Sequence, residues 1–191
     1  MTGDSARTET VLELSTHPAR SEFRLPTHSP AADRFREAMS RVAATVFVVT
    51  TDGPAGRHGA TATSIASLTD EPPTLLVCLN VGSRAHKLAI ENRVLAVNTL
   101  AADDEALARA FSKSSGGVDD GRFGHGEWET LATGAPVLKG AVAAFDGRIV
   151  GATMVGTHSA LFVEIDAIAY ADPARDGLAY HRRGYRPFSA G

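Results

Sequence analysis

The sequence predicts a mainly β domain with short helices, built on an antiparallel sheet or barrel. Three observations carry that reading. First, strand-length segments recur at 42–49, 75–79, 94–100, 142–150 and 159–169; 42–49 is a nearly unbroken apolar run rich in Val, and 75–79 is apolar throughout. Second, neighbouring runs are joined mostly by turn chemistry, such as Asp52-Gly53-Pro54-Ala55-Gly56 and Asp70-Glu71-Pro72-Pro73, rather than by helical crossovers. Third, no repeat of 20–50 residues is visible, so the chain is one domain rather than a solenoid.

The elements follow in order. Residues 1–30 mix Ser, Thr, Arg, Glu, His and Pro without sustained periodicity. They read as an N-terminal tail, partly disordered or wrapping, with a short strand at 10–14 as its candidate element. The domain proper is residues 31–191. Ser29-Pro30 reads as an N-cap with proline at the first helical position, and Phe35, Met39 and Val42 at i, i+4 and i+7 carry a helix over 31–41. A buried strand at 42–49 follows. The turn at 52–56 returns the chain into a strand over 59–67, which makes a hairpin. A third strand is 75–79. Ser83 caps a helix over 84–92 with Ala85, Leu88 and Ala89 inward, and 94–100 is the fourth strand. Asp103 or Asp104 caps a second short helix, in which Ala106 and Leu107 pair with Ala110 and Phe111. Residues 112–126 form a Gly- and Ser-rich loop. Residues 142–150, 153–155, 159–169 and 178–180 are the remaining strands.

Composition narrows the function. Of the 191 residues 43% are hydrophobic, enough for a packed core, and the formal charge of −3 argues against non-specific nucleic-acid binding. Cys78 is the only cysteine and sits in an apolar run, so neither a disulfide framework nor a thiolate metal cluster is expected. The seven histidines are scattered without metal-ligand spacing. No apolar run reaches the ~18 residues of a membrane span. The first residues lack the apolar segment of a secretory signal, so a cytoplasmic protein is expected. The chain has no Gly-x-Gly-x-x-Gly after a strand, no phosphate loop, no Gly-x-Ser-x-Gly and no His-Glu-x-x-His. Redox chemistry here would rest on an organic cofactor.

Three segments can carry chemistry. On a strand over 59–67 the hydroxyls of Thr61, Thr63 and Ser67 share one face, while Ala60, Ala62, Ser64 and Ala66 share the other. That pattern suits a flat, polar, phosphate-bearing ligand; it equally suits an ordinary hairpin using Thr for its β-propensity. Ser83-Arg84 at a helix N-terminus is an anion site in outline, or a plain N-cap with a solvated arginine. His158, two residues after Gly156 and just before a strand, either orients a ligand amide or sits on a surface turn.

Taken together, six segments resemble the short-chain flavin reductase family, the reductase partners of two-component flavin monooxygenases. They are FREAMSRVAATVFVVTTDGPAGRHGATATSIASLTDEPPTLLVCLN (35–80), SRAHKLAIENRVLAVNTL (83–100), ALARAFS (106–112), TGAPVLKGAVAAFDGRIV (133–150), VGTHSALFVEI (155–165) and LAYHRRGYRPF (178–188). The pyrimidine-degradation type of FMN reductase is the nearest in kind. The family also includes reductases of a corrinoid cobalt. The resemblance implies an FMN-binding split β-barrel, a homodimer with flavin near the subunit interface, and hydride transfer from NADH or NADPH to FMN, with FAD as the alternative flavin.

By position, the resemblance implies that Thr61, Ala62, Thr63 and Ser64 line the ribityl chain and ring edge. Asn80, Ser83 and Arg84 hold the phosphate side. Asn98 and the Ala110-Phe111-Ser112 turn close over the flavin. His158 matches a histidine beside the nicotinamide and Tyr185 an aromatic near the isoalloxazine. Many members read Gly-Asp-His where this chain reads Gly-Thr-His at 156–158, which alters the charge around the nicotinamide. Three functions remain open: a reductase feeding a partner oxygenase, a corrinoid cobalt reductase, and a non-catalytic FMN or haem binder.

Overall fold

The computed structural model describes residues 29–113, 121–171, 173 and 175–189; the expected tail strand at 10–14 lies outside them. The elements in chain order are α1 (Pro30–Ser40), β1 (Ala44–Thr45), β2 (Phe47–Thr51), β3 (His58–Ala62), β4 (Ile65–Asp70), β5 (Pro73–Asn80), α2 (Arg84–Asn92), β6 (Val94–Thr99), α3 (Glu105–Ser112), a 3-10 turn (Arg122–His125), β7 (Trp128–Thr130), β8 (Pro136–Leu138), β9 (Ala143–Val155), β10 (His158–Tyr170), β11 (Gly177–His181) and β12 (Gly184–Phe188).

Both capped helices begin where the sequence places them. Ser29 Oγ accepts from Ala32 N at 3.2 Å, and Ser83 Oγ accepts from His86 N at 3.1 Å. They differ in what they bury. On α2, Ala85, Leu88 and Ala89 face inward as expected. On α1 nothing is buried: Phe35 is 67% exposed, and Met39 and the following Val42 are exposed too. The end of α1 is fastened instead to the β11–β12 turn, where Arg182 N donates to Ser40 O at 2.6 Å. Asp104 occupies the N-cap position of α3, but its carboxylate accepts from Ala101 N at 2.8 Å rather than from the helix.

Two expected strands prove to be four. The run at 42–49 changes sheets at Val46: β1 pairs with β11 in a three-stranded sheet, and β2 enters a seven-stranded one. Val46 serves both, donating to Leu178 O and accepting from Leu100 N. The segment 59–67 breaks after Ala62, so Ala66 and Ser67 leave the face expected of them. The seven-stranded order is β3-β2-β6-β9-β10-β5-β4, which places β3 and β4 at opposite edges with only Thr63-Ser64 between them. The sheet therefore curls until its edges meet through the covalent chain. Among the described residues no ladder joins β3 to β4, and the barrel is split.

Packing follows from that curl. Every strand of the seven gives side chains to one interior cluster, including Val49, Ala60, Ile65, Val77, Leu95, Ile149 and Leu161. A second cluster lies on the outer face of β2 and β6. There Val48, Val94 and Ala96 pack against Leu107, Phe111, Val137 and Leu178. Central strands buried on both faces read as unbroken apolar runs, which is why 42–49 and 94–100 show little alternation. The runs at 142–150 and 153–155 are one strand, β9, paired with β10 along its length apart from two irregularities in register. Gly156, at φ 59°, supplies the left-handed residue of the two-residue turn between them.

Candidate functional site

A cleft of about 660 Å³ opens where β3, the start of α2, the end of α3, the 3-10 turn and the β11–β12 hairpin converge. Its size lies within the usual range of cofactor pockets. Eight of the residues expected at a site line it: Thr61, Ala62 and Thr63 from β3 and the residue after it, Ser83 and Arg84 from α2, Phe111 and Ser112 from α3, and Tyr185 from β12.

The β3 and α2 portion is made by short-range chemistry. Asn80 Oδ1 accepts from Gly82 N at 2.8 Å, and Ser83 N donates to Asn80 O at 3.0 Å, which turns the chain into α2. Asn80 thus shapes the turn and is not itself in the lining. The amides of Arg84 and Ala85, which no carbonyl of α2 can serve, head the helix at the cleft. Ala60 and Ala62 keep the neighbouring surface low. Thr61 spends its hydroxyl on Ala108 O at 2.6 Å, which ties β3 to α3. At Gly59 an added Cβ would lie 2.8 Å from the Phe111 ring and 2.7 Å from Val49 O; Phe111 packs on bare backbone.

The other portion is assembled from distant parts of the chain. Phe111, Phe123 and Trp128 form an aromatic cluster with centroids 5.1–5.5 Å apart. The buried Arg122 guanidinium lies 5.6 Å from the Phe111 ring and donates to Gly59 O and, at 3.3 Å, to Lys113 O. Tyr180 and Tyr185 stack edge-on at 5.2 Å, with Arg109 5.0 Å above Tyr185. Burial raises the Tyr185 pKa above the ordinary tyrosine range, while its hydrogen bond to Ser112 and the nearby Arg109 oppose that rise. The hydroxyl is protonated at neutral pH and can donate.

Five expected residues lie outside the lining. Asn98 is a correction: it is fully buried, donates to Val48 O at 3.0 Å and accepts from Leu138 N at 2.8 Å. Its amide is consumed between strands and cannot close over a ligand. Ala110 packs against the outer cluster, and Ser64 bridges the barrel edges, accepting from Cys78 N at 2.9 Å. His158 is exposed at the start of β10, in register with Asn80, its Nδ1 3.0 Å from Thr157 Oγ1. It therefore borders the turn that leads into α2.

Sequence reasoning missed His58, Arg109, Lys113, Arg122, Tyr180 and Arg183. The available signal was the cluster Tyr180-His181-Arg182-Arg183-Gly184-Tyr185, aromatics flanking paired arginines. Five cations line the cleft and, among the described residues, no carboxylate does, although the whole chain carries −3. The donor set fits a flavin phosphate: a capped helix N-terminus with Arg84 and Ser83 at one end, and small side chains where a flat ring can approach the backbone.

Comparison with known proteins agrees. The sequence profile of the flavin reductase like domain matches residues 39–189. The chain is 50% identical over 159 residues to the FMN reductase (NADH) RutF of Ancylobacter novellus, covering 82% of this chain and 86% of that one. It is 45% identical over 178 residues to RutF of Yersinia enterocolitica, covering 92% and 94%. Among solved structures, BorF, the flavin reductase component of a bacterial two-component tryptophan halogenase, superposes with a TM-score of 0.77 at 30% identity, covering 84% and 99%. The NADH:FAD oxidoreductase SgcE6 of Streptomyces globisporus gives 0.77 at 28% identity, covering 86% and 99%. A match that spans the whole split barrel and both portions of the cleft lining has one meaning: this chain belongs to the flavin reductase-like family.

Proposed function

We propose that the chain is an NADH-dependent FMN reductase that passes reduced flavin to an oxygenase component. The observation that carries this reading is the α2 N-terminus with Ser83 and Arg84 set in a cleft lined by cations and small side chains. The names of the relatives, FMN reductase (NADH), support FMN over FAD and NADH over NADPH. BorF, the reductase of a two-component halogenase, supports delivery of reduced flavin to a separate partner enzyme.

Bound FMN supplies a ring that accepts hydride and passes electrons on. The chain supplies placement, and good orientation is worth roughly 7–11 kcal/mol of barrier. Ser83, Arg84 and the first amides of α2 hold the phosphate. Ala60 and Ala62 let the ring lie against β3, and Tyr185 offers a protonated hydroxyl near its edge. His158, beside the α2 turn, orients the nicotinamide carboxamide through one ring nitrogen. The protein works as a homodimer: exposed apolar side chains stand at both ends of the β9–β10 hairpin, Met154 and Val155 at its turn and Ile168 and Tyr170 at its far end, with Leu68 on β4, and a second copy would bury part of them. Sedimentation giving a fully active monomer at micromolar concentration would remove the dimer.

No helix among the described residues is long and apolar enough to cross a membrane, and cytoplasmic placement is part of the proposal. Anaerobic NADH titration with and without FMN, against a panel that includes FAD and a cobalt corrinoid, tests the function. FMN-dependent NADH oxidation is expected. Absence of flavin reduction, or preferential reduction of the corrinoid, would overturn the assignment.

A further inference from the structure

The turn between β11 and β12 contains a conformational anomaly. Arg182 and Arg183 have φ of 49° and 60°, the left-handed region of a two-residue hairpin turn that favours Gly, Asn or Asp. The adjacent glycine, Gly184, stands one position too late to relieve them. Two consecutive arginines in this conformation are strained, and such strain persists where the surrounding structure or a function requires those side chains.

At Arg182 the surrounding structure fixes the backbone: its N–H donates to Ser40 O and pins the turn to α1, a bond that does not depend on the side chain. Arg183 lines the cleft, while its Nη2 meets Glu37 Oε2 at 2.8 Å. Both partners are well exposed, so water and salt screen the pair and it is easily exchanged for a stronger anion. Three of the other four lining cations, all but Lys113, have evident occupations. Arg84 stands at the α2 N-terminus. Arg109 pairs with Glu105 at 2.6 Å and covers Tyr185. Arg122 is buried and holds Gly59 O and Lys113 O. A flavin monophosphate alone does not call for this much positive charge.

We propose that Arg183 is a recognition residue for the diphosphate bridge of the reduced nicotinamide dinucleotide, with Glu37 as its resting partner. The proposal rests on the NADH-dependent reading above and assigns the donor's diphosphate to the β11–β12 turn, away from the α2 terminus that takes the flavin phosphate. When the donor enters, the guanidinium leaves Glu37 and takes a diphosphate oxygen in a charge-assisted hydrogen bond, with no covalent change.

Arg183→Asn tests this without harming the turn, because Asn tolerates left-handed φ; its thermal midpoint should match or exceed that of the parent. Hydride donation is compared between NADH and 1-benzyl-1,4-dihydronicotinamide, which has no phosphate. The variant should lose about tenfold or more in kcat/KM with NADH, chiefly through KM, and less than about threefold with the phosphate-free donor. Glu37→Gln should lower the KM for NADH by freeing Arg183. Equal losses for both donors, or a loss of FMN affinity relative to riboflavin, would overturn the assignment. A parent protein that oxidises neither donor in the presence of FMN overturns the functional reading, and the Arg183 assignment falls with it.

Discussion

The two portions of the cleft lining are built by different means. The β3 and α2 portion comes from residues 58–63 and 82–85, and its α2 end is held by contacts two or three residues long, such as Asn80 to Gly82 and Ser83 to His86. The α3, 3-10 and hairpin portion spans residues 109–185. It is held by contacts such as Arg122 to His58, 64 residues apart, and Arg183 to Glu37, 146 apart. Anion binding at a capped helix is a local property that spacing can encode. A ring of cations and aromatics is a property of the folded chain.

Removing the long-range portion should cost most. Phe111 is 1% exposed and joins the aromatic cluster, Arg122 and the bare backbone at Gly59. Phe111→Ala should destabilise the fold by about 3–5 kcal/mol, measured by urea unfolding. A loss under about 1 kcal/mol would mean that the assembled portion is not part of the core. The local portion should fail differently. Arg84→Ala should leave stability nearly unchanged and weaken FMN binding by about 1.5–3 kcal/mol, with riboflavin much less affected. Equal losses for the two flavins in fluorescence titration would move the phosphate away from α2.

What could be read from the sequence divides along the same line. Ser29, Ser83 and the inward residues of α2 stand as spacing placed them, because capping and 3.6-residue periodicity are local. The split of 59–67 was not legible: nothing in Thr63-Ser64 announces that the chain there crosses from one edge of a curled sheet to the other. Arg122 was hidden in a Gly- and Ser-rich loop, where composition suggests solvent. β7, β8 and β12 are short, and their pairing is fixed by partners rather than by their own periodicity. Asn98 was misplaced because the resemblance assigned it by position alone, whereas the partners that consume its amide, Val48 O and Leu138 N, lie 40 to 50 residues away.

Smaller effects would refine the contrast at the boundary between the portions. His158→Ala should slow anaerobic bleaching of FMN by NADH, in the step that depends on NADH concentration, while flavin affinity stays nearly intact. An unchanged bleaching rate across NADH concentrations would return His158 to the surface. His86, in the first turn of α2, should give the slightest effect. Burial lowers its pKa below the ordinary value of about 6.5, so the unfolded chain takes up a proton at higher pH than the folded one. Stability is therefore whole above about pH 6.5 and declines as pH falls through the window below it. His86→Asn should flatten that decline, and urea midpoints between about pH 7 and 5 read it directly.

The burial of β2 and β6 on both faces has a consequence for how the sheet finds its alignment. In a half-exposed strand, a slip of one residue throws apolar groups into water, and that penalty sets the alignment. Between two cores the same slip merely exchanges one oily neighbour for another, so alternation carries almost no positional information. Asn98 restores it. Its amide is satisfied when Val48 O, Thr50 Oγ1 and Leu138 N stand where they do, and one step in either direction would strand a buried amide without partners. A single polar side chain serves as the index mark by which the two central strands and the β8 segment are read into place.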